Sequence, residues 1–544
     1  MSRVVNTNDP DNLRQLPAPS LRTRPVRVED YLFNREVSQV EFFRRVLEEA
    51  LDESQPWLER LKFLAIFSSN VDEFFMIRVS ALKEAMEEDV NAKSPDGLTP
   101  SEQLAKIREL LVPLVAEHGR CLQEDIIPPL KANGIEIASY PSLSAAEQNV
   151  LDKYFTENVF PVLTPQAVDP SHPFPYISNL SLNLGLVVQE DENPDADISS
   201  KMQAEPRFVR IKVPPLVPRM VLVPGTEAKF VLLGELIKAN INSLFPGMNP
   251  GEAHTFRLTR DADIDIREDE ADDLLHSLQE QLRRRRFGTP VRLEVSSSMP
   301  DELVRYLSES IGLAPEDVYV VGGPLNVPDL MVLYDLPRAD LKDKPLPILM
   351  PETFRHGSAI FEAIKEHDLL LHHPYVSYTS ITDLIAVAAN DPLVLAIKIC
   401  VYRTGGDSPI LPALIQASEQ GKQVTVLIEL KARFDEAKNI EWATRLERAG
   451  IHVVYGVMGL KTHCKLALII RREGERLQRY VHIATGNYNP TTSTTYTDLG
   501  LLTANENIGA DATELFNYLT GYSRQNQYQE LLVAPVNLRD RMTA

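Results

Sequence analysis

The chain is 544 residues long, too long for one ordinary domain, and three or four are expected. Its 44% hydrophobic and 24% charged content is that of a soluble globular protein, and a formal charge of −21 excludes general nucleic-acid binding through a broad basic surface. There is no run of about 18 apolar residues and no signal-peptide pattern. Three cysteines, Cys121, Cys400 and Cys464, lack C-x-x-C spacing. They argue against a zinc site or a disulfide scaffold and for a reducing cytoplasm.

Residues 1–26, rich in Asn, Asp, Pro and Arg, are expected to form a disordered arm. An all-α domain is predicted over 27–131. Phe43, Val46, Leu47 and Ala50 recur at helical spacing, as do Leu58, Leu61, Leu64 and Ala65, with Pro56 as a boundary and a further helix over 98–121. Over 132–349 prolines multiply, and strand-like runs at 182–188 and 208–213 mix with helical runs at 233–244 and 268–282. That texture predicts an α+β domain. Asp261, Asp263 and Asp265 alternate with apolar residues and could hold a divalent ion from one strand face. No glycine turn or bidentate glutamate completes such a loop, so a solvated face is preferred. The arginines at 283–286 could grip phosphates, but a helix end complementing its dipole is the preferred reading.

From 350 to 530 strands and helices alternate. Apolar strands are predicted at 393–401 (interrupted by Lys398), 424–430, 451–455, 464–470 and 480–484, with helices at 409–420 and 440–449. Such a pattern argues an α/β domain whose sheet is covered on both faces. Ligands in these sheets gather outside strand ends. There stand Tyr402 and Arg403 after one strand, Lys431, Arg433, Asp435 and Glu436 after the next, and Lys461 and His463 after a third.

His463 and Lys465, two apart at the start of an apolar strand, project to one face. This sets an imidazole beside a permanent positive charge, as attack on phosphorus requires. Gly486 and Asn487, within Gly-Asn-Tyr-Asn after the next strand, can bring an amide and backbone N–H groups to the same oxygens. An H-x-K alone is common by chance, and one strand-end arginine is usually a solvated charge. Two arginines with H-x-K on one rim favour phosphoryl transfer: neutral His463 attacks the γ-phosphorus of a nucleoside triphosphate, while Lys465, Arg403 and Arg433 offset the equatorial charge. Asp435 and Glu436 are read as orienting the arginines, with a share in holding Mg²⁺ as the other role open to them. No Walker loop and no kinase Gly-rich loop is present.

With these residues laid out, the sequence resembles a bacterial polyphosphate kinase of the histidine-autophosphorylating type from about residue 31 onward. The resemblance rests on Phe67-Ser68-Ser69-Asn70-Val71-Asp72-Glu73-Phe74-Phe75, Lys398-Ile399-Cys400-Val401-Tyr402-Arg403 and Glu429-Leu430-Lys431-Ala432-Arg433-Phe434-Asp435-Glu436. It rests also on Gly459-Leu460-Lys461-Thr462-His463-Cys464-Lys465 and Tyr496-Thr497-Asp498. It implies reversible transfer of the ATP γ-phosphate to inorganic polyphosphate through a phosphohistidine at His463. It further implies nucleotide contacts from Asn70 and Tyr496, a magnesium site at Arg403 and Arg433, and a phospholipase D-like catalytic fold. Without the resemblance Asn70 reads as a helix cap. Guanidinium has no lone pair for a cation, so the two arginines are read as gripping metal-bound phosphates. Lys431, Lys461 and Asn487 are candidate phosphate supports. ATP or ADP and polyphosphate are the implied ligands, Mg²⁺ the cofactor, and a homo-oligomer the implied state. Neither nucleic acid nor an integral membrane segment is expected, and a cytoplasmic location, peripheral at the inner membrane or free, follows.

Two departures stand out. Phospholipase D enzymes carry an aspartate five residues after the motif lysine, where this chain has Ile470. After His463 the only histidine is His482, which lacks the lysine spacing. Residues 531–544 are read as the start of a second phospholipase D-like domain, so a C-terminally truncated chain with impaired turnover is expected. The alternatives are a phospholipase D-superfamily phosphodiesterase, against which the single H-x-K counts, and a non-catalytic polyphosphate-binding protein.

Overall fold

The computed structural model describes residues 31–88, 93–190, 206–263, 274–284, 287–351, 354, 359–403, 408–457, 459–521, 523 and 527–544. The arm expected over 1–26 therefore lies outside the described residues, as do Asp265, Arg285 and Arg286. Chain contacts divide the protein into two units, 1–263 with 287–343 and 264–286 with 344–544.

In the first unit, Asn34 opens α1, Arg35–Leu51, by accepting from the N–H groups of Glu36 and Val37. Pro56 precedes α2, Trp57–Phe74, where its missing N–H costs nothing. A π-helical turn, Phe75–Val79, leads into α3, Ser80–Glu87. Thr99 and Glu102 cap α4, Pro100–Arg120, reciprocally, and α5 covers Ile127–Ala132. The apolar stripe Val40, Phe43, Leu47 and Ala50 of α1 is buried with Leu58, Leu61 and Leu64 of α2, as the spacing predicts.

The rest of this unit is α+β. Its strands are β1 (Glu136–Ile137), β2 (Gln166–Ala167), β3 (Leu182–Glu190), β4 (Arg207–Lys212), β5 (Met220–Leu222), β6 (Lys229–Leu232), β7 (Met248–Pro250), β8 (His254–Arg260), β9 (Pro290–Ser296) and β10 (Val318–Val321). Helices α6 (Ala145–Tyr154), α7 (Leu233–Ala239) and α9 (Asp301–Ile311) accompany them, while α8 (Leu274–Arg284) groups with the second unit. One sheet runs β10-β9-β8-β3-β4-β2 with β7 on β3, and a smaller one runs β1-β6-β5. Helical and sheet segments share a core, since Phe43, Leu61 and Phe74 cluster with Met220, Phe230, Val291 and Tyr319. The chain leaves β8 at Arg260, so Asp261 and Asp263 sit beyond the strand, the Asp263 N–H donating to the Asp261 carboxylate at 2.9 Å. Neither of these two carboxylates lies on a strand face.

The second unit is built on β11 (Leu369–His373), β12 (Val394–Val401), β13 (Gln423–Ile428), β14 (His452–Val454), β15 (Lys465–Glu473), β16 (Arg476–Ala484) and β17 (Asp498–Thr503). The helices are α10 (Ala359–Glu366), α11 (Thr379–Asn390), α12 (Ile410–Glu419), α13 (Glu436–Arg448), α14 (Pro490–Ser493), α15 (Glu506–Gly521) and α16 (Leu538–Thr543). The sheet order is β11-β17-β16-β15-β12-β13-β14. β12, β13 and β14 are parallel, whereas β15, β16, β17 and β11 alternate antiparallel. Side-chain alternation assigns the two faces. Ile397, Ile399, Val426, Ala467 and Ile469 pack with Leu384, Leu414 and Leu446 of α11, α12 and α13. Cys400, Leu427, Leu466, Leu468 and Val481 pack with Leu515, Phe516 and Leu519 of α15. The sheet is thus covered on both faces, as expected for α/β.

The three strands predicted at 393–401, 424–430 and 451–455 are neighbours in the sheet. β14, the third predicted strand, lies at the sheet edge beside β13, and the chain crosses to the other side of β12 before entering β15. Because β15 runs antiparallel to β12, its first residues still arrive at the rim where β12 and β13 end. Among the described residues no helix is long and apolar enough to cross a membrane.

Candidate active site

Four strands meet at one rim of the second unit. β12 and β13 end there, β15 begins there, and β16 returns to it with Ala484 opposite Lys465. Tyr402, next after β12, is the centre of the cluster. The His463 ring meets it edge to face at 4.8 Å, while the Lys465 and Lys461 ammonium groups lie 5.1 and 6.0 Å from its centroid and the Arg403 guanidinium 5.9 Å. The sequence places Tyr402 at a strand end but gives it no role. Its ring is what collects the cations around the imidazole.

His463 is exposed at the rim. Desolvation of its ring, then the charges of Lys465, Lys461 and Arg403, depress its pKa below the ordinary 6.5. It is therefore neutral at physiological pH, with a lone pair to offer. Lys465 departs from expectation: it is buried, its Nζ donates to the His463 carbonyl at 2.6 Å, and burial lowers its pKa to about 8. Its charge is conditional rather than permanent, because little water reaches the ammonium.

The loops are tied together by Glu429. One of its oxygens accepts from the Lys431 N–H at 3.0 Å and the other from the Thr462 N–H at 2.7 Å. This buried carboxylate bolts the loop after β13 to the loop carrying His463. Asn439 of α13 adds a second brace, donating to the carbonyls of Tyr402 at 2.8 Å and Glu429 at 2.9 Å. Neither residue was singled out from sequence; the only available signal was polar side chains inside an otherwise apolar strand end and helix face.

Arg403 reaches Asp435 at 3.4 Å and the Arg433 carbonyl at 3.4 Å, so Asp435 orients an arginine as expected. Lys431 and Arg433 are half-buried in the same loop, where Phe434 takes a left-handed φ of 67°. Glu436 is buried at the start of α13. In the Gly-Asn-Tyr-Asn turn, Tyr488 is buried with its hydroxyl 2.9 Å from His482 Nδ1, and Asn489 caps α14. The Asn487 Oδ1 is buried with no hydrogen-bond partner among the described residues. Tyr496 stands 62% exposed between α14 and β17, free to meet a ligand.

The H-x-K pair, both arginines, Lys431, Lys461 and Asn487 thus come from segments meeting at one rim. Asn70 belongs to the first unit. It is half-buried in the interior of α2, so the helix-cap reading fails; the chain is already helical well before it. Two residues on, the buried Asp72 pairs with Arg257 and Arg292.

Among the described residues no three His, Cys, Asp or Glu side chains come together to hold a metal ion. At the rim, Glu429 is occupied by two N–H groups and Asp435 engages Arg403.

Three family models match the chain: polyphosphate kinase N-terminal domain over 32–138, polyphosphate kinase middle domain over 146–333, and polyphosphate kinase C-terminal domain 1 over 359–525. A polyphosphate kinase of Synechocystis sp. is 50% identical over 554 residues, covering 97% of this chain and 75% of the relative. One from Mycolicibacterium gilvum is 49% identical over 520 residues, covering 94% and 70%. The crystal structure of polyphosphate kinase from Porphyromonas gingivalis superposes with a TM-score of 0.78 at 31% identity, covering 94% of this chain and 73% of that one.

Proposed function

The chain belongs to the polyphosphate kinase family, and we propose that it transfers the γ-phosphate of ATP reversibly to inorganic polyphosphate through a phosphohistidine at His463. The observation that carries this reading is a neutral imidazole held against Tyr402 amid Lys461, Lys465 and Arg403. Its nitrogen lone pair forms the N–P bond while the bond from the γ-phosphorus to the bridging oxygen breaks and its electron pair leaves with ADP. A terminal oxygen of polyphosphate then attacks phosphorus and returns the lone pair to the imidazole.

Arg403 and Arg433 present planar forks to the phosphate oxygens, and Lys465 supplies charge once phosphate arrives. Lys431, Lys461 and Asn487 support the chain, and Asn70 and Tyr496 contact the nucleotide, roles carried over from the family motifs. Mg²⁺ on the phosphates gripped by Arg403 and Arg433 would neutralise charge so that polyanions could approach. The same reading makes the protein a cytoplasmic homo-oligomer, to be tested by sedimentation and cell fractionation.

The test is label transfer from γ-labelled ATP to the purified chain, with His463→Ala alongside. Acid-labile, alkali-stable label on the parent and none on the variant is expected. Equal labelling of both would remove His463 from the role.

A further inference from the structure

The loops that carry the rim side chains have left the sheet, so their buried N–H and C=O groups need partners other than a strand ladder. Glu429 and Asn439, 3% and 0% exposed, supply them. Glu429 follows β13 and is still tied to the neighbouring strand, its N–H donating to the Val401 carbonyl at 3.1 Å. Its two carboxylate oxygens take the N–H groups of Lys431, in its own loop, and of Thr462, the residue before His463. Asn439 Nδ2 donates to the Glu429 carbonyl and to the carbonyl of Tyr402, whose ring meets the imidazole. One connected group thus joins the ends of β12 and β13 to the entry of β15 and to α13, which carries Asn439.

The acceptor is a carboxylate for two physical reasons. It has an oxygen for each of the two donors, whereas a glutamine keeps one oxygen and sets an NH₂ group against the other N–H. It is also charged, and N–H bonds to an ionised acceptor are shorter and stronger than those to an amide. Burial pushes the Glu429 carboxyl above its ordinary value, opposed by the two N–H groups and then by the Lys461 charge. An arriving polyanion pulls the rim cations outward. A tie beneath them, made to main-chain atoms, keeps the loops from following.

We propose that Glu429 and Asn439 are positioning residues for phosphoryl transfer, acting as one unit that holds His463 against Tyr402 through main-chain hydrogen bonds. Neither is a reacting group. They set where the imidazole lone pair points when phosphate binds. The effect on rate rests on His463 being the nucleophile; the tying of the loops does not.

The experiment follows single-turnover labelling of the full chain by γ-labelled ATP, reading the rate constant, the amplitude and the ATP concentration at half-maximal rate. Glu429→Gln should lower the rate constant about 100-fold, as a displacement near 1 Å can cost. Its amplitude and half-maximal concentration should stay at the parental values. Asn439→Ala removes the other tie and should act alike, which covers misfolding of either variant. The double variant should lose far less than the product of the two, because the residues work as a unit. A parental rate constant in both single variants, whatever the amplitude, would leave them a role in stability alone and overturn the proposal. A double loss equal to the product overturns it too. Amide exchange of the peptide covering 459–464, read by mass, is the second measurement, and parental exchange in Glu429→Gln is equally fatal. If the parent takes no label, the phosphohistidine reading has failed, and faster exchange of that peptide in the variant then decides whether Glu429 ties the loops.

Discussion

The His463 imidazole and the Tyr402 ring stand edge to face, with centroids 4.8 Å apart and planes at 76°. The contact holds the solvent-facing imidazole in one orientation without consuming a ring nitrogen. Such pairs contribute about 0.5–1.5 kcal/mol, so Tyr402→Ala should slow single-turnover labelling roughly 2- to 10-fold. Tyr402→Phe keeps the ring and should stay within about 2-fold. Equal losses in the two variants would point to the hydroxyl instead of the ring.

Two depressed pKa values at the rim set the pH response. On the proposed mechanism His463 attacks as the neutral ring, and its pKa lies below 6.5, so kcat/KM should hold down to that point and fall only at lower pH. Lys465 loses its proton near pH 8 in the free protein, so an alkaline limb is expected there. Lys465→Met should abolish that limb and cost about 10²–10³-fold in rate, the scale of removing one preorganised charge donor. A profile with the alkaline limb intact in Lys465→Met would assign it to another group.

Gly486 is required by crowding rather than by its backbone angle. A β-carbon there would stand 2.7 Å from Asp498 Oδ2 and 2.9 Å from Asp498 Cβ. Asp498 has little freedom to retreat, since the Thr485 hydroxyl donates to it at 2.8 Å and in turn accepts from the Leu499 N–H at 2.9 Å. Gly486→Ala should therefore displace the turn that carries Asn487, at an overpacking cost of about 1–3 kcal/mol. Calorimetry together with label kinetics checks this; an unchanged melting temperature and rate would mean the turn relaxes freely.

Local pattern carried much of this protein and non-local pairing carried the rest. The stripe on α1 and the apolar runs of β12, β13 and β15 were legible because burial on one or both faces leaves a period in the sequence. β11 and β17 were not: a short run ending in two histidines and a strand containing Gly500 give no clear alternation. Strand order was hidden for another reason, as nothing in a strand's composition states that its neighbour is antiparallel and reached by crossing a sheet. The same limit concealed the burial of Lys465. His463, Lys465, Arg403 and Arg433 were legible as a group because each stands at or next to the end of an apolar run, and those runs are strands that share one rim.

The last prediction concerns Asp72, whose place in the first unit explains why its motif is acidic. The Arg257 Nη1 donates to one Asp72 oxygen at 2.8 Å, and both Arg257 and Arg292 make ion pairs with the carboxylate. Glu294 completes the group at 2.8 Å from Arg257 and 3.1 Å from Arg292, and the Arg292 guanidinium lies 4.5 Å above the Phe75 ring. Burial pushes the Asp72 carboxyl upward, but Arg257 and then Arg292 outweigh it and hold its pKa below 3.8. With the folded value depressed, the stabilisation is fully present above the unfolded value and is lost as pH falls through the folded one. Asp72→Ala leaves two buried guanidinium groups to share Glu294, and breaking such a pair costs about 3–5 kcal/mol. Asp72→Asn should lose less but show a shallower fall in stability below pH 3.8, because the linked proton is gone. Denaturant titrations at a series of pH values separate these outcomes. Parallel acid limbs for parent and Asp72→Asn would mean that other carboxylates govern acid unfolding.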